Sequence, residues 1–227
     1  MSDGLTLALD GSTYAGSAAV IRDRDVVAER VLADIAKPGR AGREEMFMPM
    51  VAACLADAGV APGDLSRVVC GAGPGSFTSL RIAASIAKGI AIGTGSPLYA
   101  VSSLALIVAA GPRSPGTLLA VLPAMRGEMF AAPFQVGETE AVQQTGPPFL
   151  VAEAALMAEA ERRGARVVGP AVKGGDYPRA SGVARLLDDI LDGELCDSQT
   201  WEPTYGRLAE AQVRWEAAHG RPLTAQG

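Results

Sequence analysis

Histidine occurs once in the 227 residues, as His219, and that scarcity excludes more chemistry than any other feature of the chain. A metal site built on paired histidines is impossible. A Ser-His-Asp or Cys-His set needs His219 at its centre, and a histidine so close to a chain end is ordinarily a solvated surface residue. Cysteine is almost as sparse: Cys54, Cys70 and Cys196 are odd in number and lack CxxC spacing, so neither a disulfide framework nor a zinc site is indicated. Such thiols are expected to be buried and to act as small apolar side chains. Lysine appears three times against 17 arginines, all scattered, and with a net charge of −5 the chain has no basic stripe for gripping RNA. A long uncharged apolar run is missing too. The apolar stretch around residues 82–94 carries Lys88, while the first apolar run lacks a basic n-region and is interrupted by Asp10. Neither a membrane span nor a secretory address is expected, and the cytoplasm is the expected compartment.

What is present is length for a sizeable core, 48% hydrophobic residues, and an alternation of strand and helix patterns. Leu5–Asp10, Ser17–Arg22 and Val26–Leu32 read as three short strands in an antiparallel meander with a turn at Asp23-Arg24-Asp25. Helices are predicted at Arg43–Ala58 and Ser79–Thr94, with a buried strand at Arg67–Gly71 between them. A strand at Leu98–Val101, a helix at Ser103–Ala110 and strands at Thr117–Leu122 and Met129–Gln135 continue the pattern. Helices near Ala152–Arg163 and Ser181–Asp192 flank a strand at Arg166–Gly169. The Gly111-Pro112-Arg113-Ser114-Pro115-Gly116 loop reads as the start of a second subdomain, and the whole pattern indicates α/β layers. Beyond it, Leu208, Ala211, Gln212, Trp215 and Ala218 fall at helical spacing, predicting a terminal helix at about 207–219 that packs back on the body with Trp215 as its anchor.

The most informative stretch is Gly73-Pro74-Gly75-Ser76-Phe77-Thr78-Ser79, a glycine- and proline-rich loop joining a strand to a helix. Loops at the carboxyl end of a strand are where open α/β sheets keep ligand or partner surfaces. The loop is not a dinucleotide fingerprint, which needs glycine where Ser76 stands, nor a P-loop, which needs a Lys-Ser/Thr pair that Phe77-Thr78 does not supply. Backbone N–H groups with the hydroxyls of Ser76 and Thr78 at a helix start favour an anion, and an ordinary capped turn accounts for the same residues equally well.

Six segments along the chain carry a family resemblance. The run Gly73-Pro74-Gly75-Ser76-Phe77-Thr78-Ser79-Leu80-Arg81-Ile82 resembles the GPGSFTGLRIG signature of the TsaB family, smaller non-catalytic relatives of the threonylcarbamoyl transferase TsaD, with Ser79 in place of the usual glycine. Leu9-Asp10-Gly11-Ser12-Thr13 is similar to that family's IDTST start, Gly11 replacing threonine. Val101-Ser102-Ser103-Leu104 resembles its VSSL, Arg126-Gly127-Glu128-Met129-Phe130 its RRGEVY, and Glu202-Pro203-Thr204-Tyr205 its closing EPxY. Pro123 stands where RRGEVY is often preceded by aspartate. Arg43-Glu44-Glu45-Met46-Phe47-Met48-Pro49 resembles HSERLLP with Arg43 in place of the histidine.

The resemblance implies an α/β fold of two subdomains of the actin/sugar-kinase/Hsp70 (ASKHA) class, the second one reduced: residues 1–104, and a smaller α/β part, 105–227. It implies a non-catalytic subunit that binds TsaD while that enzyme modifies the adenosine beside the anticodon of tRNAs reading ANN codons. The TsaE ATPase is implied as a further partner, and tRNA is met only through the complex. In the ASKHA class the first hairpin turn approaches a nucleotide's phosphates, which makes Asp10, Ser12 and Thr13, with Ser76 and Thr78, candidate phosphate-facing residues. The same turn is also an ordinary Asx turn. No catalytic residue, metal or cofactor is expected on the chain alone, with ATP or ADP admitted only at the interface with TsaD. Whether the isolated chain homodimerises stays open, as does the rival reading, an autonomous ASKHA-fold phosphotransferase or glycoprotease-like peptidase.

The two first helices carry more apolar surface than one packing stripe requires. On Ser79–Thr94 a bulky ridge, Ile82, Ile86 and Ile90, is expected to fill the chain's own core. A small ridge, Leu80, Ala84, Ala87 and Ala91, is expected to face a partner helix together with Met46 and Met50, since small residues let helices approach closely.

Overall fold

The computed structural model of the protein describes residues 4–32, 46–172 and 175–206. Strands and helices alternate as predicted. Strands β1 (Leu5–Asp10), β2 (Ser17–Arg22) and β3 (Asp25–Val31) form the meander. Helix α1 (Phe47–Asp57), β4 (Arg67–Gly71), α2 (Phe77–Thr94), β5 (Leu98–Val101) and α3 (Ser103–Ala110) follow. The rest comprises β6 (Gly116–Pro123), β7 (Glu128–Val136), β8 (Val142–Gln144), β9 (Phe149–Ala152), α4 (Leu156–Arg162), β10 (Arg166–Val168) and α5 (Val183–Leu191). Strands β8 and β9 went unpredicted because three or four residues beside Pro147 and Pro148 carry no readable alternation. The predicted terminal helix, with Trp215 and His219, and residues Arg43 to Glu45 lie outside the described residues.

One sheet has the order β3-β2-β1-β4-β5 and the other β10-β6-β7-β8, with β9 pairing the opposite end of β7. Both are built alike: an antiparallel hairpin (β1–β2, β6–β7), then a helix, then a strand returning parallel to the first (β4 on β1, β10 on β6). Helices α1 and α2 cover the outer face of the first sheet, burying Leu7, Leu9, Val20, Val68 and Cys70. Its inner face packs with α3, α5 and the second sheet around Ile21, Leu104, Ile107, Phe134 and Leu187. Helix α4 closes the far side over Leu119, Val121 and Met129. Cys54 and Cys70 are buried free thiols and Cys196 is half-buried and free, so the cysteines pack as the sequence suggested.

The faces of α2 are the reverse of the sequence expectation. Leu80, Ala84, Ala87 and Ala91 are the buried side, with Ala83, while Ile82, Ile86 and Ile90 are only partly covered. Met50 is buried in the same core and Met46 packs half-buried against it, so none of these six residues forms a free outer surface. The reason is volume. The strands beneath present leucines and valines, so a helix of alanines lies close to them, whereas isoleucines there would overfill the layer. Ala87→Glu is therefore expected to collapse the monomer by several kcal/mol, because the carboxylate enters a dry core with no partner. Ile86→Ala should cost only about 1 kcal/mol, since its side chain is already part-solvated. Thermal melts of the two variants check the order; a normally melting Ala87→Glu would show the alanine face to be open.

Candidate functional site

The β1–β2 turn begins at Asp10, whose carboxylate is fully buried and hydrogen-bonded on both oxygens. Ser12 closes the turn on Oδ1, with its N–H at 3.0 Å and its hydroxyl at 2.6 Å. Ser103, the first residue of α3, donates its hydroxyl to Oδ2 at 2.6 Å. The same Ser103 oxygen accepts the Gly73 N–H at 3.1 Å, and the Ser103 N–H donates to the Gly73 carbonyl at 2.9 Å. The loop is then clamped onto the turn itself, the Ser76 N–H donating to the Ser12 carbonyl at 2.7 Å. Burial raises the Asp10 carboxyl above the usual carboxylate range, and the hydrogen bonds from Ser103 and Ser12 pull it the other way.

Two glycines make this approach possible. A Cβ on Gly75 would collide with the Ser12 carbonyl and lie 2.7 Å from its Cα; one on Gly11 would lie 2.5 Å from the Ser79 carbonyl and 2.8 Å from the Ala83 Cβ. The departure from threonine at position 11 thus lets the start of α2 rest directly on the turn.

The five candidate phosphate-facing residues do not share an open site. Asp10 and Ser12 are buried and turned to each other, Thr13 is half-buried with its hydroxyl accepting the Ala15 N–H at 3.2 Å, and Ser76 and Thr78 are exposed. Ser76 stands at the N-cap of α2 but makes no capping bond with its side chain, which donates to the Ser79 hydroxyl at 3.2 Å. The turn does not fit a nucleotide's phosphates: both Asp10 oxygens are taken, and the Gly75 backbone lies against Ser12. Among the described residues no group of histidine, cysteine and carboxylate side chains is arranged to hold a metal ion, and no helix is long and apolar enough to cross a membrane.

The EPTY segment belongs to the same constellation. The Thr204 N–H donates to the Ala72 carbonyl at 2.8 Å. Arg81, on α2, donates to the Tyr205 hydroxyl at 3.1 Å with its guanidinium 4.2 Å from the centre of the Phe77 ring. The Tyr205 hydroxyl in turn donates a hydrogen bond to Glu202 at 2.7 Å. Further along, Lys88 donates to the carbonyls of Gln199 at 3.2 Å and Trp201 at 3.0 Å, strapping residues 199–205 along one flank of α2. Sequence reasoning did not single out Ser103, Arg81 or Tyr205 as site residues, although all three sit in the family motifs. Position within a motif was the available signal; partners 93 and 124 residues apart were not.

Comparison with known proteins supplies a context for this geometry. The model of the family described as TsaD, tRNA N6-adenosine threonylcarbamoyltransferase, matches residues 27–173, well over half of the chain. The tRNA threonylcarbamoyladenosine biosynthesis protein TsaB of Bacillus subtilis (strain 168) is 30% identical over 231 residues, covering 92% of this chain and 96% of that one. TsaB of Escherichia coli (strain K12) is 34% identical over 134 residues, 58% of this chain and 55% of that protein. The solved structure of YeaZ from Pseudomonas aeruginosa superposes with a TM-score of 0.71 at 23% identity, over 89% of this chain and 99% of that one. With two sheets built on the same hairpin plan, that likeness identifies a reduced ASKHA-like fold.

The network makes two measurable demands. Ser103→Ala leaves the Gly73 N–H without its acceptor and one Asp10 oxygen without its donor; two orphaned buried groups at about 1–3 kcal/mol each should lower stability by roughly 2–6 kcal/mol in denaturant titrations. A carboxyl whose folded-state pKa is raised binds more protons folded than unfolded. Its contribution is therefore present below the ordinary value of 3.8 and lost as pH rises through the raised one. Melting temperature against pH, wild type minus Asp10→Asn, should fall across that window and level off above it; a rising difference would mean that the hydrogen bonds outweigh burial.

Proposed function

The chain belongs to the TsaB family, and from that membership we propose that it is the non-catalytic partner subunit of a TsaD transferase. Participation in tRNA threonylcarbamoyladenosine biosynthesis goes with the family. The specific role is to dock on TsaD and hold it in the form that transfers the threonylcarbamoyl group to the adenosine beside the anticodon of tRNAs reading ANN codons. The TsaE ATPase joins the same assembly.

One observation carries this reading. Helices α1 and α2 lie side by side on one face of the first sheet and turn an almost uncharged surface outward. On α1 it consists of Met48, 48% exposed, with Pro49, Ala52 and Ala56; on α2 of Thr78, Ser85, Gly89, Ile92, 60% exposed, and Gly93. Arg81, the charge on this side of α2, is drawn to the flank by Tyr205. Nothing lies within 4 Å of where a Cβ would stand on Gly89 or Gly93, so the helix backbone is open to close approach by another helix. A small-residue, nearly uncharged helix surface of this kind supports docking by a partner helix. The surface differs from the one expected from sequence: Met48, Ala52, Ser85, Gly89, Ile92 and Gly93 replace Met46, Met50, Leu80, Ala84, Ala87 and Ala91.

The closed Asp10 turn and the single histidine support an absence of independent chemistry, and the acidic charge supports leaving the RNA to the partner. Nucleotide, on this reading, binds only where TsaD contributes to the site. Calorimetry of the isolated chain with ATP should give no measurable heat of binding, and micromolar affinity would contradict the assignment.

Gly89→Glu separates docking from folding. Glutamate is the better helix former at an open position, so monomer stability should rise by about 0.5–1 kcal/mol. Co-purification with the TsaD of the same organism should be lost, because the new charge is desolvated in the complex. Met157→Glu, 69% exposed on α4 over the second sheet, is the control and should co-purify normally. Retention of TsaD by Gly89→Glu at wild-type strength would show that this face is not the interface.

A further inference from the structure

Ahead of α5, the chain is fastened to the meander of the first sheet almost residue by residue. The Ala180 N–H donates to the Ser17 hydroxyl at 2.9 Å, the Ser181 N–H to Glu29 at 3.2 Å, and Arg179 to the other oxygen of Glu29 at 3.3 Å. At the leading end of this segment Tyr177 meets Tyr14, which stands in the β1–β2 turn. Their hydroxyls are hydrogen-bonded to each other, and the ring centres lie 5.4 Å apart, edge to face at 75°.

Both rings are positioned by their own backbones. Tyr14 sits inside a turn closed by the Gly16 N–H on the Thr13 carbonyl at 3.2 Å, and Tyr177 directly precedes Pro178, which is buried. Tyr14 is 52% exposed and Tyr177 is half-buried, so an oxidant in solvent can reach the pair. The hydrogen bond with Tyr14, helped by burial, pushes the Tyr177 phenol up to about 12, and it stays neutral at physiological pH. The chain's other two tyrosines are placed differently: Tyr99 packs against the inner core, and Tyr205 lies against Phe77.

We propose that Tyr14 and Tyr177 form an oxidative cross-linking site, joined ring to ring as dityrosine by a one-electron oxidant such as a haem peroxidase charged with hydrogen peroxide. Each phenol gives one electron to the oxidant and one proton to solvent. The two phenoxyl radicals couple through the ring carbons ortho to oxygen, forming one C–C bond. The hydrogens on those carbons then shift to the oxygens and restore both phenols. Two hydrogens leave the protein, and one hydrogen peroxide is reduced to two waters. The ortho carbons flank the two hydroxyls already in contact, and rings tethered on one folded chain meet far more often than rings on separate molecules. The new bond would staple the turn that carries Asp10 and Ser12 to a segment 163 residues away. It is independent of the subunit role.

The test treats the full chain, dilute, with a haem peroxidase and hydrogen peroxide. The monomer should acquire dityrosine fluorescence, and digestion should release one linked peptide pair containing Tyr14 and Tyr177, lighter than its two parts by two hydrogens. The exposed methionines Met48, Met125 and Met157 gain oxygen under the same treatment, so their products do not mimic that loss. Tyr14→Phe and Tyr177→Phe keep the rings but lack the phenol, and each should abolish the fluorescence of the monomer. Tyr99→Phe should leave the yield unchanged, and urea should lower the wild-type yield several-fold by separating the two rings. The peptide map of the wild type decides the matter even if a variant fails to fold. Absence of dityrosine, dityrosine only between molecules or on Tyr99 or Tyr205, or a yield indifferent to urea overturns the assignment.

Discussion

A carboxylate with none of its surface in water must find its hydrogen bonds inside the protein, and Asp10 finds them on segments far apart in sequence. Ser12 closes the turn, Ser103 reaches it from the start of α3, and through Ser103 the Gly73 backbone is held in register. Each donor is satisfied only in this arrangement, so displacing one strips its neighbours, and an orphaned buried group costs about 1–3 kcal/mol. The placement of α2 follows, because the loop pinned at Gly73 and Ser76 runs straight into Phe77. The return of the chain at Thr204 follows as well, since its N–H closes on Ala72, beside that same loop.

With α2 fixed at its N-terminus, its remaining freedom is rotation about its axis, and side-chain volume settles that. The alanine side meets the leucines and valines of β1 and β4, and the helix is anchored on its flank by Arg81 and Lys88 to the strap of residues 199–205. The face left over is small, uncharged and open. The family motifs are consequently architectural: four of them, around Asp10, Gly73, Ser103 and Thr204, converge on one end of the first sheet and position a surface that consists largely of other residues.

This division is consistent with the docking role proposed above. In a hydrolase or kinase the buried turn would present its carboxylate to a substrate or an ion. Here the carboxylate is spent on the protein's own loop, and the hydroxyls left exposed, Ser76 and Thr78, stand apart from it. The surface with unfilled packing capacity is on α1 and α2, where another chain's helices can meet it.

Periodicity and turn residues were enough to locate the meander, the Arg67–Gly71 strand, most helices and the α/β class, because those depend on neighbours within one or two turns. The motifs were legible too, down to Gly11 and Ser79 as departures. Strands β8 and β9 were not, being too short to show alternation beside two prolines. The faces of α2 were misread because periodicity reports that a helix has a bulky side and a small side, while the strand residues beneath decide which of them fits. Nor does any local pattern encode that a hydroxyl at Ser103 must reach a carboxylate at Asp10, since that bond exists only once α3 and β1 are packed. The sequence alone therefore determined which segments would matter. The tertiary structure decided whether their polar groups face a ligand or one another, because burial and partner choice are properties of packed layers.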